Sequence, residues 1–373
     1  MAPIPDARRR MKIAYIVQMA ELDSENGVAK KLVMQIRAWT AAGHVVQLFS
    51  LARTTRLWAG FDGISTHVVP RGNPAQRIAR SFRLATDVRQ WRPDIIYFRY
   101  AYHSPGFPAL FREVPAIAEI NSDDATEYAL TLSRAKQYYH RFTRGRILRA
   151  VRAFVPVTHE LGQRVSAFGH PAEVIGNSIA LDRFRTLAPP PSTAPVRVVF
   201  AGTAHTPWHG LDRLAELGRM FPEITFDVIG STPADWEKNQ AAPPPGNLQL
   251  HGVLPWDRYE PLLAAATAAV GTLAWYRNGM HEGSPLKVRE YLAVGLPVLA
   301  AYRDVDVPDG ADYFLRVPND ATSLAPHRDA VAAWLERWRG RRVPRAAIAQ
   351  LDTAFKETQR LGFITRILAA SRR

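Results

Sequence analysis

The chain has 373 residues, enough for about two domains, with 22% charged residues and a formal net charge of +14 at pH 7. It contains no cysteine, which excludes disulfides, a thiolate nucleophile and any cysteine-based zinc site. No apolar run approaches the roughly 18 residues that a transmembrane helix needs.

The positive charge is concentrated in the first half of the chain. Residues 1–190 hold 27 Lys/Arg and 15 Asp/Glu, against 21 and 19 in residues 191–373. This excess favours an anionic partner such as a membrane surface, a lipid phosphate or nucleic acid, although an arginine-rich genome would also produce it. The start of the chain is not typical of a signal peptide, because its apolar run is short and acidic residues follow at once. We expect residues 1–10 to form a disordered leader.

Alternating and apolar runs in the first half predict strands at 12–17, 44–50, 64–69, 94–99, 116–120 and 154–157. Amphipathic patterns predict helices at 28–42, 77–91, 125–153 and 160–168. This alternation is typical of a doubly wound parallel sheet. The first strand–helix loop lacks G-x-G-x-x-G, so Gly27 is either a turn glycine or a contact to a bound phosphate or sugar.

Polar residues at the carboxyl ends of the predicted strands are candidate ligands, because these ends line the crevice of such a sheet. On the acceptor side the candidates are Arg99, His103, Glu119 and Asn121. His103 is also consistent with an ordinary surface residue. The predicted helix 125–153 is rich in arginine and aromatic residues, which fits either a solvated face or a surface resting on anionic lipid headgroups.

Residues 187–195, LAPPPSTAP, predict an extended linker, because proline at this density cannot form a sheet core. The pattern then restarts, with strands predicted at 196–200, 225–229, 248–251, 269–273 and 296–301. Helices are predicted at 211–220, 259–268, 329–338 and 346–370. The chain therefore reads as two Rossmann-like βα arrays, residues 11–186 and 196–345, followed by residues 346–373.

The stretch HEGSPLKVREYLAVGLPVLA at 281–300 predicts a loop, a helix that Ser284 caps and Pro285 begins, a turn at Gly295 and a buried strand. Lys287 in the first helical turn opposes the helix dipole, which a structural role does not explain. A helix N-terminus with a lysine suits a diphosphate, and a carboxylate one turn further, Glu290, suits vicinal hydroxyls. Together these features predict a nucleotide-sugar site; the alternative is a surface ion pair between Lys287 and Glu290.

Glu282 and Glu290 stand in a segment that resembles the E-x(7)-E signature of retaining GT-B glycosyltransferases of family 4. Weaker landmarks occur in the family's order around Gly27, Gly43-His44, Gly176-Asn177, Gly202-Thr203 and Gly252-Val253. The resemblance spans about residues 11–370. It implies an α/β GT-B fold, with two Rossmann-like domains facing across a central cleft. It also implies that the final helix, residues 346–373, crosses back to the first domain.

The resemblance implies a donor site in the second domain. Glu290 would hold the ribose hydroxyls, and Glu282 with the N–H groups of Gly283 and Ser284 would hold the transferred sugar. The helix N-terminus at Ser284, Pro285 and Leu286 would face the diphosphate, close to Gly202 and Thr203, and Val253 would meet the base through its backbone.

Two departures from the family pattern matter. The loop AGTAHTPWHG has histidines, His205 and His209, where the family commonly has an arginine and a lysine. Because leaving-group charge must still be stabilised, we expect Lys287 to carry much of this role, with His209 or His205 assisting. The family's acceptor-side histidine is replaced by the sequence around Glu119.

The predicted function is metal-independent, retaining transfer of a hexose from a UDP- or GDP-sugar to a hydroxyl acceptor. The basic first half favours a lipid-linked saccharide or glycolipid acceptor in polysaccharide or cell-envelope glycan biosynthesis. A soluble small-molecule acceptor is the alternative. We predict a cytoplasmic protein, peripheral on the inner face of the membrane, with no cofactor, no metal and no nucleic acid partner. Rival interpretations are a sugar-nucleotide epimerase, which would need further acid/base carboxylates, and a basic nucleic-acid-binding protein, for which no motif is visible.

Overall fold

The computed structural model describes residues 10–18 and 21–371. The chain divides into two compact units: Met1–Ser178 with Thr353–Arg373, and Ile179–Asp352. Residues 1–9, which make up most of the predicted leader, lie outside the described residues. No helix in the described part of the chain is long and apolar enough to cross a membrane.

The first unit is built on a six-stranded parallel sheet in the order β3-β2-β1-β4-β5-β6. The strands are β1 (Lys12–Val17), β2 (Val45–Ala52), β3 (Thr66–Pro70), β4 (Ile95–Arg99), β5 (Ala116–Ile120) and β6 (Ala153–Pro156). The central strands are apolar along their whole length because helices cover both faces of a parallel sheet. Ile13, Ile96 and Ile117 are fully buried there.

The second unit has a six-stranded parallel sheet of its own, in the order β14-β12-β10-β7-β8-β9. Its strands are β7 (Arg197–Ala201), β8 (Thr225–Ile229), β9 (Leu248–Gly252), β10 (Ala268–Val270), β12 (Val298–Ala300) and β14 (Phe314–Arg316). A separate parallel pair joins β11 (Glu282–Gly283) to β13 (Arg303–Asp304). These sheets confirm the predicted α/β class.

The helices alternate with the strands, as the sequence pattern predicts. They are α1 (Gly27–Ala41), α2 (Pro74–Trp91), α3 (Phe107–Glu113), α4 (Asp124–Thr131), α5 (Arg134–Leu148), α6 (His159–Ser166), α7 (Leu211–Met220), α8 (Pro233–Asn239), α9 (Trp256–Ala265), α10 (Leu286–Ala293), α11 (Arg328–Arg337) and α12 (Thr353–Ala370). The prediction of one helix over 125–153 is wrong. That segment forms two helices, with extended backbone at Leu132 and Ser133, and the second helix ends at Leu148.

The last helix, α12, belongs to the first unit. It packs against α1, where the indole nitrogen of Trp39 donates to a carboxylate oxygen of Glu357 at 2.8 Å. The segment 187–195 has neither helix nor strand and lies within the second unit. There Arg342 donates to the carbonyl oxygen of Leu187 at 3.2 Å.

Candidate functional site

The predicted donor residues follow three strands of the second unit. Gly202, Thr203, His205 and His209 lie directly after β7, Val253 follows β9, and the segment from Glu282 to Leu286 comes after β10. Because all strands of this sheet are parallel, these loops leave the same edge. The carboxyl edge of the second sheet therefore carries the candidate donor site.

The helix of the motif begins one residue later than predicted. Leu286 is its first residue, and Pro285 occupies the N-cap position with extended backbone. The hydroxyl of Ser284 accepts a hydrogen bond from the guanidinium of Arg289 at 2.7 Å. The predicted turn at the far end is confirmed: Gly295 has φ +90°, and its N–H bonds to the carbonyl oxygen of Leu292 at 3.0 Å.

Two side chains of α10 hold both main-chain groups of Ala201, the last residue of β7. The Nζ of Lys287 donates to the carbonyl oxygen of Ala201 at 2.9 Å. The N–H of Ala201 donates to the hydroxyl of Tyr291 at 2.6 Å. Lys287 also lies 4.4 Å from the ring centroid of Phe200, a cation–π contact. The predicted lysine is therefore fixed beside the loop that follows β7.

Burial lowers the pKa of Lys287 to about 7. An ammonium in these surroundings loses hydration, and the carbonyl and the aromatic ring replace it only in part. An anion placed beside Lys287 would favour the charged form and raise this pKa again. The lysine is thus poised to respond to the binding of a negative group.

His209 is held as a neutral imidazole. Its Nδ1 accepts a hydrogen bond from the N–H of Thr203 at 3.0 Å. Burial, and then the charge of Lys287, lower the pKa of His209 to about 3. Nδ1 also lies 3.3 Å from the carbonyl oxygen of Thr203. When Nδ1 accepts from the shorter Thr203 N–H contact, the proton of the neutral ring is on Nε2, which makes that atom a donor. His209 can therefore assist an oxygen ligand by hydrogen bonding but does not supply a positive charge.

The loop after β7 is tight around Gly202. A Cβ at this position would lie 2.6 Å from the ring of Phe200 and 3.0 Å from Nδ1 of His209, so a side chain there would displace the histidine. His205 lies on the outside of the same loop, exposed, with Nε2 3.4 Å from a carboxylate oxygen of Asp235. His205 therefore lies in a more solvated setting than His209.

Glu282 is largely buried and accepts a hydrogen bond from Arg303 at 2.9 Å. The indole N–H of Trp275 donates to the carbonyl oxygen of Glu282 at 2.6 Å. A Cβ on Gly283 would lie 2.8 Å from the ring of Tyr302, so only glycine fits there. The backbone that leads into α10 is thus fixed on both sides.

The remaining two donor candidates are more open. Glu290 is partly exposed one turn along α10, and its charge contributes, after burial, to a raised pKa of the Tyr291 hydroxyl. Val253 is 88% exposed after the left-handed turn at Gly252. Both residues are accessible to a ligand on this edge.

Arg289, which the sequence analysis did not identify, holds the start of α10 in place. It is fully buried and makes a two-pronged ion pair with Asp304, with both N–O distances 2.8 Å, and a third contact to Asp306 at 2.8 Å. Together with the bond to Ser284, these contacts fix α10 to the segment after β12. The signal was present in the sequence, because Arg289 shares a helix face with the apolar residues Leu292 and Ala293.

In the first unit, three of the four acceptor candidates form one buried network. Glu119 is fully buried, and its carboxylate lies 3.0 Å from Lys31 and 3.2 Å from Arg99. Asn121 donates to Glu119 at 3.0 Å and accepts from Lys31 at 2.9 Å. Arg360 of α12 adds a third cation at 3.7 Å.

Burial alone would raise the pKa of Glu119, but Lys31, Arg360 and Arg99 hold it well below its usual range. The carboxylate is therefore charged and surrounded by cations of the same unit. Lys31 and Arg360 were not singled out from the sequence. The expectation that Glu119 faces an open crevice is corrected, since this side chain lies in the interior.

His103 lies apart from that network, on the wall of a cavity. Its Nδ1 is 2.9 Å from the hydroxyl of Tyr139. Burial, followed by the nearby Arg146 and His140, lowers the pKa of His103 to about 4, so the ring is neutral. Gly27 is the first residue of α1, whose N–H groups at Val28 and Ala29 are capped by Asn26. Gly27 therefore lies at the N-terminus of a helix of the first unit, whereas the other donor candidates belong to the second unit.

No group of three or more His, Asp or Glu side chains placed to hold a metal ion occurs within residues 10–18 and 21–371.

Comparison with known proteins gives a family match for part of the chain and a fold for nearly all of it. Residues 26–178 match a family model described as a glycosyl transferase 4-like domain. No curated protein matches the chain.

Solved structures match over nearly the full length. Sucrose-phosphate synthase from Thermosynechococcus elongatus has 14% identity and a TM-score of 0.68, with 97% of this chain and 100% of that chain covered. Anabaena HepE in complex with UDP and glucose has 15% identity and a TM-score of 0.66, covering 96% and 100%. The lipopolysaccharide outer core galactosyltransferase WaaB has 14% identity and a TM-score of 0.65, covering 95% and 99%. The chain thus has the GT-B fold, and its residues 26–178 match the glycosyl transferase 4-like domain.

Proposed function

We propose that the protein is a retaining, metal-independent hexosyltransferase that moves a sugar from a UDP- or GDP-sugar to a hydroxyl acceptor. The observation that carries this proposal is the arrangement of Glu282, Lys287 and Glu290 around the start of α10, at the carboxyl edge of the second sheet. A positive side chain between two carboxylates suits a ligand with a diphosphate between two polyols. The crystal structure of Anabaena HepE is a complex with UDP and glucose, which supports a nucleotide-sugar donor here.

Each candidate has a role that fits its surroundings. Glu290 would hold the ribose hydroxyls, and Glu282 with the N–H groups of Gly283 and Ser284 would hold the transferred sugar. Lys287 would bind the diphosphate as an ammonium, because the anion raises its pKa. Nε2 of His209 would donate to a phosphate oxygen, and Val253 would meet the base through its backbone.

The proposed reaction keeps the configuration of the sugar. The acceptor oxygen forms a bond to the anomeric carbon as the bond from that carbon to the diphosphate oxygen breaks, and the acceptor proton passes to the leaving phosphate on the same face. Lys287 and His209 would stabilise the charge that develops on the leaving diphosphate. An NMR spectrum of the product would show the anomeric configuration, and turnover in the presence of EDTA would show whether a metal is needed. Inversion or EDTA sensitivity would contradict these parts of the proposal.

A panel of UDP-, GDP-, ADP- and dTDP-sugars tests the donor assignment by thermal stabilisation. A ligand that binds only the folded state contributes about 2.7 kcal/mol at a hundredfold excess over Kd. We expect one nucleotide class to stabilise the protein and Glu290→Ala to weaken that binding by about ten- to a hundredfold, since hydrogen bonds to a charged group are worth about 1.5–3 kcal/mol.

Glu237→Ala is the matched control, because Glu237 is an exposed carboxylate on α8 of the same unit. It should leave the stabilisation unchanged. A flat response of the wild-type protein to all four classes would refute the donor assignment, and equal loss in both variants would refute the role of Glu290.

For the acceptor, we propose a lipid-linked saccharide or glycolipid reached from an anionic membrane surface. Support comes from α5, where Tyr138 is 61% and Phe142 is 75% exposed beside the exposed Arg134, Arg141 and Arg146. Aromatic rings among cations are typical of helices that lie in the membrane interface. WaaB, a lipopolysaccharide outer core galactosyltransferase, is consistent with such an acceptor.

Co-sedimentation with vesicles of phosphatidylcholine and phosphatidylglycerol tests this surface. We expect binding that weakens with salt, and about a tenfold loss for Phe142→Asp, because an aromatic anchor is lost and a negative charge worth roughly 1 kcal/mol is added near the lipid. Phe355→Asp is the control, since Phe355 is 49% exposed on α12. Binding that both substitutions reduce equally, or none at all to anionic vesicles, would favour a soluble acceptor.

A further inference from the structure

Two adjoining cavities in the first unit form what we call the arginine–tyrosine pocket. The outer cavity has a volume of about 520 Å³, and its lining includes Arg77, Tyr102, Tyr128, Lys136 and Tyr139. This size falls within the range of about 300–1,000 Å³ that small-molecule sites occupy. The inner cavity, about 150 Å³, shares Arg71, Arg77, Tyr102 and Tyr128 with the outer one and adds Gln18.

Within the described residues, the cations of this pocket form no ion pair. Arg77 is partly buried, and Nη2 lies 3.4 Å from the amide oxygen of Gln18. Its guanidinium lies 5.1 Å from the ring centroid of Tyr102. Burial, and then the neighbouring Arg71, lower the pKa of Arg77. Two guanidinium groups are thus held together with no described carboxylate among the lining residues, an arrangement that a bound anion would stabilise.

The lining of the inner cavity also includes a buried donor for which the described residues provide no partner. The amide oxygen of Gln18 accepts from the hydroxyl of Ser104 at 2.8 Å, which fixes the orientation of the amide. Its Nε2 is buried and makes no hydrogen bond to the part of the chain that is described. An unsatisfied buried donor destabilises the folded state, so an acceptor atom in the cavity would relieve that destabilisation. Arg71, Arg77 and Gln18 therefore all offer donors to the same small space.

The outer cavity has an aromatic wall. The rings of Tyr102 and Tyr139 stack at a centroid distance of 5.2 Å and an angle of 22°, and Tyr128 lies 6.0 Å from Tyr102. The hydroxyl of Tyr102 donates to the main-chain oxygen of Lys136 at 3.2 Å, which fixes the wall against α5. Flat phenol rings suit the C–H face of a sugar ring, and their edges suit its hydroxyls.

We propose that the arginine–tyrosine pocket binds a sugar phosphate, with the phosphoryl group in the inner cavity on Arg71, Arg77 and Gln18 and the sugar ring against the tyrosine wall. The inference rests on the proposed function and specifies its acceptor as one that carries a phosphoryl group next to a sugar. A neutral sugar does not satisfy this pocket, because it would leave the partly buried guanidinium of Arg77, next to the more exposed Arg71, without an anion. The same chemistry occurs in a free sugar phosphate and in a sugar linked to a lipid through phosphate.

Calorimetric titration of the full chain with glucose 1-phosphate, glucose and inorganic phosphate tests the pocket. We expect glucose 1-phosphate to bind at least tenfold more tightly than glucose. Arg77→Gln and the more exposed Arg71→Gln should each weaken that binding at least tenfold, since each removes a charged donor. Arg83→Gln is the matched control on α2, because Arg83 is exposed and does not line the pocket. Glucose binding as well as its phosphate, or unchanged binding in both pocket variants, would overturn the proposal.

Farnesyl phosphoglucose in detergent micelles separates the two sources of the ligand. Tighter binding than glucose 1-phosphate, with the same dependence on Arg77, supports a lipid-linked acceptor, and equal binding supports a free one. Because glucose 1-phosphate also resembles the sugar and phosphate of a donor, the titration is repeated with Glu282→Ala, which removes the proposed contact to the transferred sugar. Binding at the pocket should survive this substitution, whereas binding at the donor site should weaken. If glucose 1-phosphate fails to bind while nucleotide sugars still stabilise the protein, the pocket assignment fails and the donor assignment stands.

Discussion

Replacing Lys287 with alanine is expected to lower turnover by about 10²–10³-fold, the usual loss when one donor that stabilises a developing charge is removed. The loop after β7 has no arginine or lysine, and His209 is neutral because burial and Lys287 lower its pKa to about 3. Lys287 is thus a cation beside this loop that forms no ion pair with a carboxylate among the described residues. Arg277 also reaches the loop, at the carbonyl oxygen of Pro207, but it is paired with Asp212. A radiochemical or coupled assay of sugar transfer measures the effect.

Lys238→Ala is the control for this prediction, because Lys238 is an exposed lysine on α8 of the same unit. Its turnover in the same assay should equal that of the wild type. The thermal midpoint of Lys287→Ala should fall only slightly, since the bond to Ala201 is worth about 1 kcal/mol. Turnover near wild type in a folded Lys287→Ala protein would remove the lysine from the mechanism.

The pH dependence of donor binding gives an independent check of Lys287. The diphosphate of a nucleotide sugar stays fully charged from about pH 6 to about pH 9. A change of affinity with pH in this window therefore reflects the titration of groups on the protein. Since the free protein holds Lys287 at a pKa of about 7, affinity should fall as the pH rises through that value. Lys287→Arg should flatten the profile, because arginine stays protonated throughout.

Replacing Glu119 with glutamine is expected to destabilise the first unit by about 3–5 kcal/mol, as when one partner of a buried ion pair is removed. The substitution keeps the shape of the side chain but leaves Lys31, Arg99 and Arg360 buried around a neutral amide. Chemical denaturation monitored by tryptophan fluorescence measures the loss. If Glu119 served the acceptor instead, the variant would keep its stability and lose only affinity.

Glu113→Gln provides the comparison, because Glu113 pairs with Arg89 on the surface, where solvent screens the interaction. It should change the free energy of unfolding far less than Glu119→Gln. Equal effects of the two substitutions would contradict the assignment of Glu119 as the centre of a buried network.

The sequence predicts the elements of the fold most accurately where strands are buried on both faces of the sheet. The predicted strands at 12–17, 116–120 and 225–229 and the helix at 211–220 coincide with β1, β5, β8 and α7. The single helix predicted over 125–153 failed because its arginines and aromatics continue through the break at Leu132 and Ser133. The unpredicted α8 had a local signal, since Thr232, Pro233 and Asp235 form a capping box with proline at the first turn.

For the candidate site, the sequence predicts only the residues that lie within one contiguous motif. The position of Lys287 in the first turn of α10 indicates a functional role for this lysine. Its hydrogen-bond partner Ala201 lies 86 residues earlier, and no sequence pattern predicts that the two are in contact. Similarly, Glu119 stands at a strand end, which favours a ligand contact. The cations that enclose it come from α1 and α12, and only the packing of these helices brings them together.

The position of α12 has a consequence for the order in which the protein folds during its synthesis. Glu357 and Arg360 reach Trp39, Tyr97 and Glu119, so the first unit acquires its buried polar centre only after residue 360 has left the ribosome. The second unit, Ile179–Asp352, is contiguous and can complete its core earlier. The part of the chain that is made first is therefore the part whose core is completed last, and we expect its hydrophobic strands to stay exposed for longer during synthesis than those of the second unit.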